Sequence, residues 1–346
     1  MRVLFCGENW FGSCARACSA ALRRLGCDVF DLDAQTFFPQ WRSRELRAVR
    51  RLLRPRIIAD FNATLLAAAE SYRPHLLLAF KGNFILPSTV RSLRERGIRT
   101  YNYYPDRVIF ARNSPLEEAL GEYDCVFDTK RSWDGDMAKR LRLRDRVVIP
   151  HGYDAEIHRP TPIAKEDATL FGSEVSFVGT YTERKERLLD ELVWRRSSLA
   201  IRIFGNDWKR CRSPLLKKRV QGTAVNGQSY AKAIAASRIN LAIMGVSDDA
   251  LDETTTRTYE IPACGGFMLH ERTEEVLTLY EENREVVCFS SADELASKID
   301  HYLKHPSQAK KIAEAGYRRA VPNYSYDHRV RQILEYHETS LGAACA

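Results

Sequence analysis

The segment VSFVGTYTERKERLL, residues 175–189, joins a short β-branched and aromatic run to a longer stretch with helical spacing, and a glycine separates the two. The first residues of the chain, MRVLFCGENW, open in the same way, with a short apolar run that ends at Gly7. A buried strand that ends in glycine and leads into a helix is the repeating unit of parallel α/β folds. The sequence therefore predicts two α/β halves that begin alike.

Short apolar runs alternate with helical patterns through both halves. The predicted strands of the first half cover Arg2–Gly7, Asp28–Asp33, His75–Phe80, Arg99–Tyr103, Cys125–Lys130 and Arg146–Pro150. Those of the second half cover Val175–Thr180, Ala200–Gly205, Ile239–Met244, Phe267–His270 and Val286–Phe289. Strands separated by helices pair in parallel, so the fold class that we expect is α/β, with two Rossmann-like units in tandem.

The stretch 149–162 interrupts this alternation, because it is rich in proline and glycine and cannot form regular structure. We therefore predict a first domain at residues 1–150, a linker at 151–165 and a second domain at 166–323. A length of 346 residues fits two domains. Residues 324–346 have helical spacing and predict an amphipathic helix that packs back toward the first domain.

Composition argues against several classes of protein. Hydrophobic residues make up 45 % of the chain, as in ordinary globular proteins, and no stretch approaches the ~18 consecutive apolar residues of a membrane span. The N-terminus lacks the apolar region of a signal peptide, so we expect a cytoplasmic protein. The nine cysteines contain no C-x-x-C pair and no neighbouring histidine cluster, which favours reduced thiols and predicts no metal site.

The formal charge of +8 is concentrated in the first half of the chain. Residues 1–150 carry a net charge of +9, and the remainder carries −1. The excess peaks in the segment Arg42–Arg56, which holds seven arginines and one glutamate. Leu46, Val49, Leu53 and Ile57 form an apolar stripe between these arginines, so a helix packed on its domain is one interpretation. The other is peripheral contact with an anionic membrane or with a lipid-diphosphate acceptor.

The polar segment Asp252-Glu-Thr-Thr-Thr-Arg-Thr-Tyr-Glu260 leads into a predicted short helix that ends in a pair of glycines. Free N–H groups at a helix start favour an anion, and the side chains of Thr256, Arg257 and Thr258 add further donors. Glu260 lies one turn into the helix, where its carboxylate can accept hydrogen bonds from a ribose diol. The alternative is a capped helix with exposed polar residues.

The run Arg257-Thr-Tyr-Glu-Ile-Pro-Ala-Cys-Gly-Gly-Phe-Met-Leu269 resembles the signature of the CgeB-like, or spore-maturation-protein-like, glycosyltransferases. Three more segments fit the same pattern: Val148–Asp154, Phe177–Arg184 and Val220–Met244. The resemblance covers about residues 148–337, and over the first 147 residues it rests mainly on the loop Gly7–Gly12. It implies the GT-B architecture of the "group 1" enzymes, in which an acceptor domain and a donor domain face each other across a cleft.

This resemblance implies a hexosyltransferase-like reaction. A sugar would move from a UDP, GDP or dTDP donor to a hydroxyl of a glycan, a lipid-linked saccharide or a small molecule. No metal cofactor is expected, since positively charged groups would stabilise the leaving nucleoside diphosphate. In the wider group, two carboxylates separated by seven residues bracket the donor loop. Here Asp252 would face the sugar and Glu260 the ribose, although glutamate is commoner at the first position.

Five further residues complete the predicted site. Arg184 falls where the family places a basic residue against the donor diphosphate, next to a loop that contains Gly179 and Thr180. A solvated helix face is the alternative for Arg184. Gly12 belongs to a loop that either lines the cleft or forms a plain strand–helix turn. Asp106 follows a predicted strand and is the candidate general base of an inverting reaction, or else a turn aspartate.

Two other functions stay open at this level. A sugar-nucleotide epimerase of the same fold would also bind the nucleoside diphosphate but would need no acceptor, and fold alone does not decide between the two. A nucleic-acid-binding protein would fit the basic charge. Against it, the sequence contains no recognised nucleic-acid module and no aromatic residue between the arginines of the basic segment. We therefore expect no nucleic-acid partner.

Overall fold

The computed structural model describes residues 1–39, 44–106, 114–131, 135–247 and 250–344. The chain divides into two compact units. The first unit comprises Met1–Pro150 together with Arg329–Ala346, and the second comprises His151–His328. Each unit contains one open parallel sheet with helices packed against it, as the alternation of apolar runs and helical patterns predicts.

A six-stranded sheet with the order β2-β1-β3-β4-β5-β6 forms the centre of the first unit, and its neighbouring strands all run parallel. Its strands are β1 (Arg2–Cys6), β2 (Asp28–Leu32), β3 (Leu76–Phe80), β4 (Arg99–Tyr104), β5 (Cys125–Asp128) and β6 (Arg146–Val148). Every residue of β3 is buried. A central strand that is covered on both faces requires such a continuous apolar run.

The helices described before Pro150 follow the strands of this sheet. They are α1 (Cys14–Arg24), α2 (Arg44–Tyr72), α3 (Pro87–Glu95), α4 (Leu116–Leu120) and α5 (Gly135–Arg140). Helix α1 begins where the Ser13 hydroxyl accepts a hydrogen bond from the N–H of Arg16. A hydroxyl at this position satisfies one of the free N–H groups of the first turn, which fixes the point at which the chain turns from β1 into α1.

A five-stranded parallel sheet with the order β13-β12-β9-β7-β8 forms the centre of the second unit. Its strands, with a short antiparallel hairpin β10–β11, are β7 (Ser173–Val178), β8 (Ile201–Phe204), β9 (Ser237–Ala242), β10 (Val246–Ser247), β11 (Ala250–Leu251), β12 (Met268–Glu271) and β13 (Val287–Phe289). Phe177 belongs to one apolar cluster and Val178 to another. Because side chains alternate along a strand, the sheet carries a core on each face.

The helices of the second unit cover both faces of this sheet. They are α6 (Lys165–Phe171), α7 (Glu183–Arg195), α8 (Pro214–Lys217), α9 (Gln228–Ala235), α10 (Arg257–Ala263), α11 (Glu274–Leu279), α12 (Ala292–Lys304) and α13 (Pro306–Asn323). The Thr182 hydroxyl caps α7 by accepting a hydrogen bond from the N–H of Lys185. This cap ends the loop that leaves β7, so it fixes where α7 starts relative to the sheet.

The last helix, α14 (Tyr326–Ala344), packs on the sheet of the first unit from Arg329 onward. The Tyr101 hydroxyl lies 3.1 Å from His337 Nδ1 and 3.2 Å from the Ser340 hydroxyl. The Tyr336 hydroxyl donates to the Asp145 carboxylate at 2.5 Å. The rings of Tyr101 and Tyr336 also pack edge to face. These contacts attach the end of the chain to β4 and to the residue that precedes β6.

Two glycines bring the carboxyl ends of β7 and β8 into direct backbone contact. Gly205 has a φ of +139°, and a Cβ at this position would overlap the carbonyl group of Gly179. The Gly179 carbonyl accepts a hydrogen bond from the Trp208 indole at 2.8 Å, and its N–H donates to the Phe204 carbonyl at 2.9 Å. Only glycine at 205 permits both this conformation and this close approach.

We expect Gly205→Ala to lower the free energy of unfolding by about 3 kcal/mol, because the methyl group would collide with backbone and the φ would be strained. Gly222→Ala is the matched control. Gly222 also has a positive φ, +71°, but a Cβ there would meet no atom within 4 Å. Its cost should be about 1 kcal/mol. Urea denaturation measures both values, and equal losses in the two variants would contradict the proposed overlap.

Candidate functional site

The candidate site lies at the carboxyl ends of the central strands of the second unit. The chain leaves β7 through the loop 179–182, and the segment that leads into α10 follows the β10–β11 hairpin. Strand β7 is the point at which the order of the sheet reverses, because β8 lies on one side of it and β9 on the other. In open parallel sheets, ligands bind at this kind of switch point, outside the carboxyl ends of the strands.

Lys185 is a cation of this region that the sequence analysis missed. Only 6 % of the residue is exposed, and its Nζ donates to the Thr180 carbonyl at 3.2 Å. Burial and the positive charge of Arg257 lower its pKa to about 8, although the negative charge of Asp252 opposes the change. Its place in the first turn of α7 was the available signal. A buried ammonium group next to another cation is stabilised when an anion binds between them.

Arg257 is the first residue of α10 and lies beside the same loop. A Cβ on Gly179 would be 3.3 Å from Arg257 Nη1, so the guanidinium lies next to the glycine. The guanidinium also lies 5.9 Å from the centre of the Phe177 ring. Its Nε is buried and has no hydrogen-bond partner. A guanidinium with an unused donor suits an oxyanion, as the sequence analysis predicts for this residue.

Arg184, predicted to contact a diphosphate, is engaged elsewhere. Its guanidinium forms a bidentate ion pair with Glu271 and donates to the Met244 carbonyl at 3.1 Å. Glu271 also accepts a hydrogen bond from the N–H of Met244 at 2.9 Å. Arg184 therefore ties α7 to the carboxyl ends of β9 and β12. Because these donors are occupied, the geometry favours Lys185 over Arg184 as the phosphate contact at the start of α7.

Thr258 supports the site from inside the unit. It is completely buried, and its hydroxyl lies 2.8 Å from His270 Nε2 and accepts a hydrogen bond from the N–H of Thr255 at 3.1 Å. His270 Nδ1 lies 2.5 Å from the Glu271 carbonyl, which can only accept, so Nε2 accepts from Thr258. The hydroxyl predicted to bind the donor thus has both its hydrogen and a lone pair in use.

Thr256 and the two predicted carboxylates follow the hairpin. Thr256 is the N-terminal cap residue of α10, and its side chain makes no capping hydrogen bond. Asp252 directly follows β11, and its N–H donates to the Gly245 carbonyl at 2.9 Å. Glu260 lies in the first turn of α10 with most of its side chain buried. The structure therefore places Asp252, Arg257 and Lys185 around one loop, with Glu260 one turn farther along α10.

The two residues predicted in the first unit lie at the carboxyl edge of its own sheet. Gly12 ends the loop after β1 with a φ of +97°, a conformation that favours glycine. Asp106 follows β4, and its carboxylate forms an ion pair with Lys81 Nζ at 2.9 Å. Lys81 itself has a φ of +65°, which is uncommon for a residue with a side chain. The sequence analysis did not predict the pairing of Lys81 with Asp106.

The described part of the chain contains neither a metal-binding cluster nor a membrane-spanning helix. Within residues 1–39, 44–106, 114–131, 135–247 and 250–344, no group of three or more His, Cys, Asp and Glu side chains is arranged to hold a metal ion. In the same ranges, no helix is both long enough and apolar enough to cross a membrane.

Comparison with known proteins identifies the fold. Residues 184–335 match a family model described as "Glycosyl transferase-like". Sucrose-phosphate synthase from Thermosynechococcus elongatus has 14 % identity, with 99 % of this chain and 100 % of that chain covered and a TM-score of 0.70. A glycosyltransferase from Rickettsia africae has 13 % identity, 98 % coverage of both chains and a TM-score of 0.67. Anabaena HepE in complex with UDP-glucose has 13 % identity, 98 % and 100 % coverage and a TM-score of 0.64.

No curated protein matches the sequence significantly. At identities near 13 %, the similarity to solved structures shows the fold alone. The predicted fold class is confirmed: the chain has the α/β GT-B fold of glycosyltransferases, with two parallel sheets and a C-terminal helix. The glycosyltransferase-like match begins at Arg184 and therefore includes Lys185, Asp252, Arg257 and Glu260.

The buried His270 makes the stability of this region dependent on pH. Burial lowers its pKa from 6.5 to about 4, and the charge of Arg257 adds to the decrease, while the hydrogen bond to the Glu271 carbonyl opposes it. Below about pH 6.5, His270 becomes protonated in the unfolded chain, whereas in the folded chain it stays neutral down to about pH 4. The contribution of the neutral His270 to the free energy of unfolding is therefore fully present above pH 6.5. It decreases as the pH falls, and the loss is about 2 kcal/mol at pH 5.

His270→Gln should remove this loss, so the free energy of unfolding of the variant should fall less between pH 7 and pH 5 than that of the wild type. The exposed His301→Gln is the control and should keep the wild-type pH dependence. Urea denaturation at several pH values gives the slopes. Parallel curves for the wild type and His270→Gln would show that His270 is not the group responsible.

Proposed function

We propose that the protein transfers a sugar from a nucleoside-diphosphate-sugar to a hydroxyl acceptor, and that the second unit binds the donor. The carrying observation is the pair of cations at the end of β7, where Lys185 is buried beside Arg257 and the Nε of Arg257 has no partner. A diphosphate would supply the negative charge that this pair lacks. The bound UDP-glucose of HepE, which shares the fold, supports this class of donor.

The two cations would act on the leaving group. When the bond between the sugar and the diphosphate breaks, negative charge accumulates on the departing phosphate oxygen. The planar guanidinium of Arg257 can donate two parallel hydrogen bonds to a phosphate, and the ammonium of Lys185 adds a compact charge. Interactions that are stronger in the transition state than in the ground state accelerate the reaction. In this proposal the side chains carry the charge, and no metal cofactor is required.

The carboxylates would hold the rest of the donor. Asp252 acts electrostatically on Lys185, so it lies near the diphosphate position and is assigned to the sugar side. Glu260, one turn into α10, is assigned to the ribose. The resemblance of residues 257–269 to the CgeB-like signature supports both assignments and the CgeB-like subtype. UDP and GDP are the donors to test first, and dTDP is the comparison.

The first unit would bind the acceptor. Asp106 lies at the carboxyl edge of its sheet, and Lys81 holds one carboxylate oxygen at 2.9 Å. In an inverting reaction the other oxygen would accept the proton of the attacking hydroxyl. Transfer to an acceptor also separates this proposal from an epimerase. The product would contain a new glycosidic bond rather than an isomerised sugar nucleotide.

We expect Lys185→Met to lower kcat/KM for the sugar donor by about 100-fold, because the variant removes a charge that acts on the leaving phosphate. Isothermal titration with UDP and GDP should show weaker binding as well. Lys209→Met is the matched control, because Lys209 is exposed and lies in the loop after β8. Its kinetics should equal those of the wild type. Unchanged nucleotide affinity and turnover in a folded Lys185→Met variant would exclude Lys185 from the donor site.

Helix α2 offers a second contact surface, and we propose that it meets an anionic lipid surface. Arg42 lies outside the described residues. Farther along, Val49 and Leu53 of the predicted stripe are 41 % and 40 % exposed, so these two side chains are not packed on the unit. The neighbouring Leu52, outside the stripe, is 80 % exposed. Arg51 is exposed beside them. Apolar side chains flanked by cations fit the boundary between lipid headgroups and acyl chains.

The double variant Leu52→Glu/Leu53→Glu should lose sedimentation with phosphatidylserine-containing vesicles, because it removes apolar contact and adds two negative charges. Nucleotide affinity should stay unchanged, since the donor site lies in the other unit. Leu170→Glu, at a leucine of α6 that is 59 % exposed, is the control and should sediment as the wild type does. Equal sedimentation of the wild type and the double variant would leave this part of α2 as a solvated helix face.

A further inference from the structure

The Glu260 carboxylate is held in surroundings that contain neutral hydrogen-bond donors. Only 12 % of its side chain is exposed. Over the described residues, no lysine or arginine nitrogen lies within 4.0 Å of its oxygens, and the nearest ionisable nitrogen is His158 Nε2, 3.9 Å from Oε1. A carboxylate that is this deeply buried needs hydrogen-bond donors to remain charged. Two neutral side chains lie close to it: His158, at a distance longer than a hydrogen bond, and Tyr230, on whose hydroxyl the charge of Glu260 acts.

The hydrogen bonding of His158 defines which nitrogen carries its proton. The N–H of Asp154 donates to His158 Nδ1 at 2.9 Å, so Nδ1 is an acceptor and the proton is on Nε2. Nε2 is the nitrogen that faces Glu260. Burial lowers the pKa of this imidazole, although the charges of Glu260 and Asp154 oppose the decrease. At neutral pH the ring is therefore a neutral donor directed at the carboxylate.

Tyr230 is the second donor. Its ring packs edge to face on His158, with 5.2 Å between the ring centres. The hydroxyl is buried and makes no hydrogen bond of normal length within the described part of the chain, but Glu260 is near enough to be its acceptor. Burial and then the negative charge of Glu260 raise the pKa of Tyr230 well above its ordinary value, so the phenol keeps its proton. An unpaired buried hydroxyl close to a carboxylate is a donor that a small side-chain movement can engage.

We propose that His158 and Tyr230 are positioning residues that hold the Glu260 carboxylate for both hydroxyls of a ribose, and that the site thereby selects ribonucleoside over 2′-deoxyribonucleoside diphosphates. This inference rests on the proposed donor site. A cation would neutralise the carboxylate, whereas neutral donors orient it and leave its charge available to accept two strong hydrogen bonds. A donor that lacks the 2′-hydroxyl leaves one of these acceptor positions unpaired in a buried site, which weakens binding. UDP and GDP sugars then fit the site, and dTDP sugars do not.

The test compares the affinities of UDP and 2′-deoxy-UDP by isothermal titration, with GDP and 2′-deoxy-GDP as a second pair. For the pair that the wild type binds more tightly, the deoxy form should bind about tenfold or more weakly. Tyr230→Phe and His158→Phe should reduce this ratio to about threefold or less, mainly through weaker binding of the ribose form. His158→Gln keeps an N–H donor and should restore part of the ratio.

Tyr302→Phe is the matched control, because Tyr302 is a half-buried tyrosine of the same unit that packs on the other face of the sheet. It should keep the wild-type ratio. A variant that is merely less stable would bind both nucleotides less well by a similar factor. A change in the ratio of the two affinities therefore reports on the positioning of Glu260 and not on the stability of the fold. Circular dichroism and thermal unfolding confirm that each variant is folded.

Each other outcome overturns a different claim. A wild-type ratio of tenfold that is unchanged in folded Tyr230→Phe and His158→Phe would overturn the positioning role. Equal affinities of the wild type for the ribose and deoxyribose forms would overturn the selection of ribonucleotides. If the wild type binds none of the four nucleotides, the proposed donor site itself is wrong, and this inference falls with it.

Discussion

The backbone contact between Gly179 and Gly205 is the constraint on which the proposed donor site depends. It brings the loops after β7 and β8 together without side chains between them, and the Trp208 indole occupies the carbonyl at the point of contact. With the loop fixed, the guanidinium of Arg257 can lie directly against Gly179. A Cβ at Gly205 would collide with the Gly179 carbonyl and displace this loop, and we expect that the cations at the end of β7 would then no longer converge. The site is thus set by backbone packing before any ligand contributes.

Most of the fold could be predicted from the sequence, because it depends on local patterns. The strands β1 and β7 carry short apolar runs that end at Gly7 and Gly179, and a run of this kind specifies a buried parallel strand wherever it occurs. The break at residues 149–162 was equally local, since proline and glycine exclude regular structure there. Such features require no knowledge of which other residues are near in space.

The use of each side chain in the site could not be predicted in the same way, because partners distant in sequence decide it. Arg184 and Lys185 are adjacent and chemically similar. Nevertheless, Arg184 forms an ion pair with Glu271, which is 87 residues away, whereas Lys185 lies beside the loop after β7. In the sequence, the Thr258 hydroxyl appears free to bind a ligand, but in the structure it is hydrogen-bonded to His270. Helical periodicity shows which residues share a face of α7, but it does not show which of them meets a carboxylate from another strand.

The two ends of the proposed donor site differ in their electrostatics. At the end assigned to the diphosphate, Lys185 is buried and the charge of Arg257 lowers its pKa, so a bound anion would be favoured there. At the end assigned to the ribose, the Glu260 carboxylate lies beside the neutral side chains of His158 and Tyr230. A cation beside Glu260 would satisfy the carboxylate and reduce its attraction for hydroxyl groups. In the proposed site, cations in one place and neutral donors in the other would fix the direction in which a nucleoside diphosphate lies along α10.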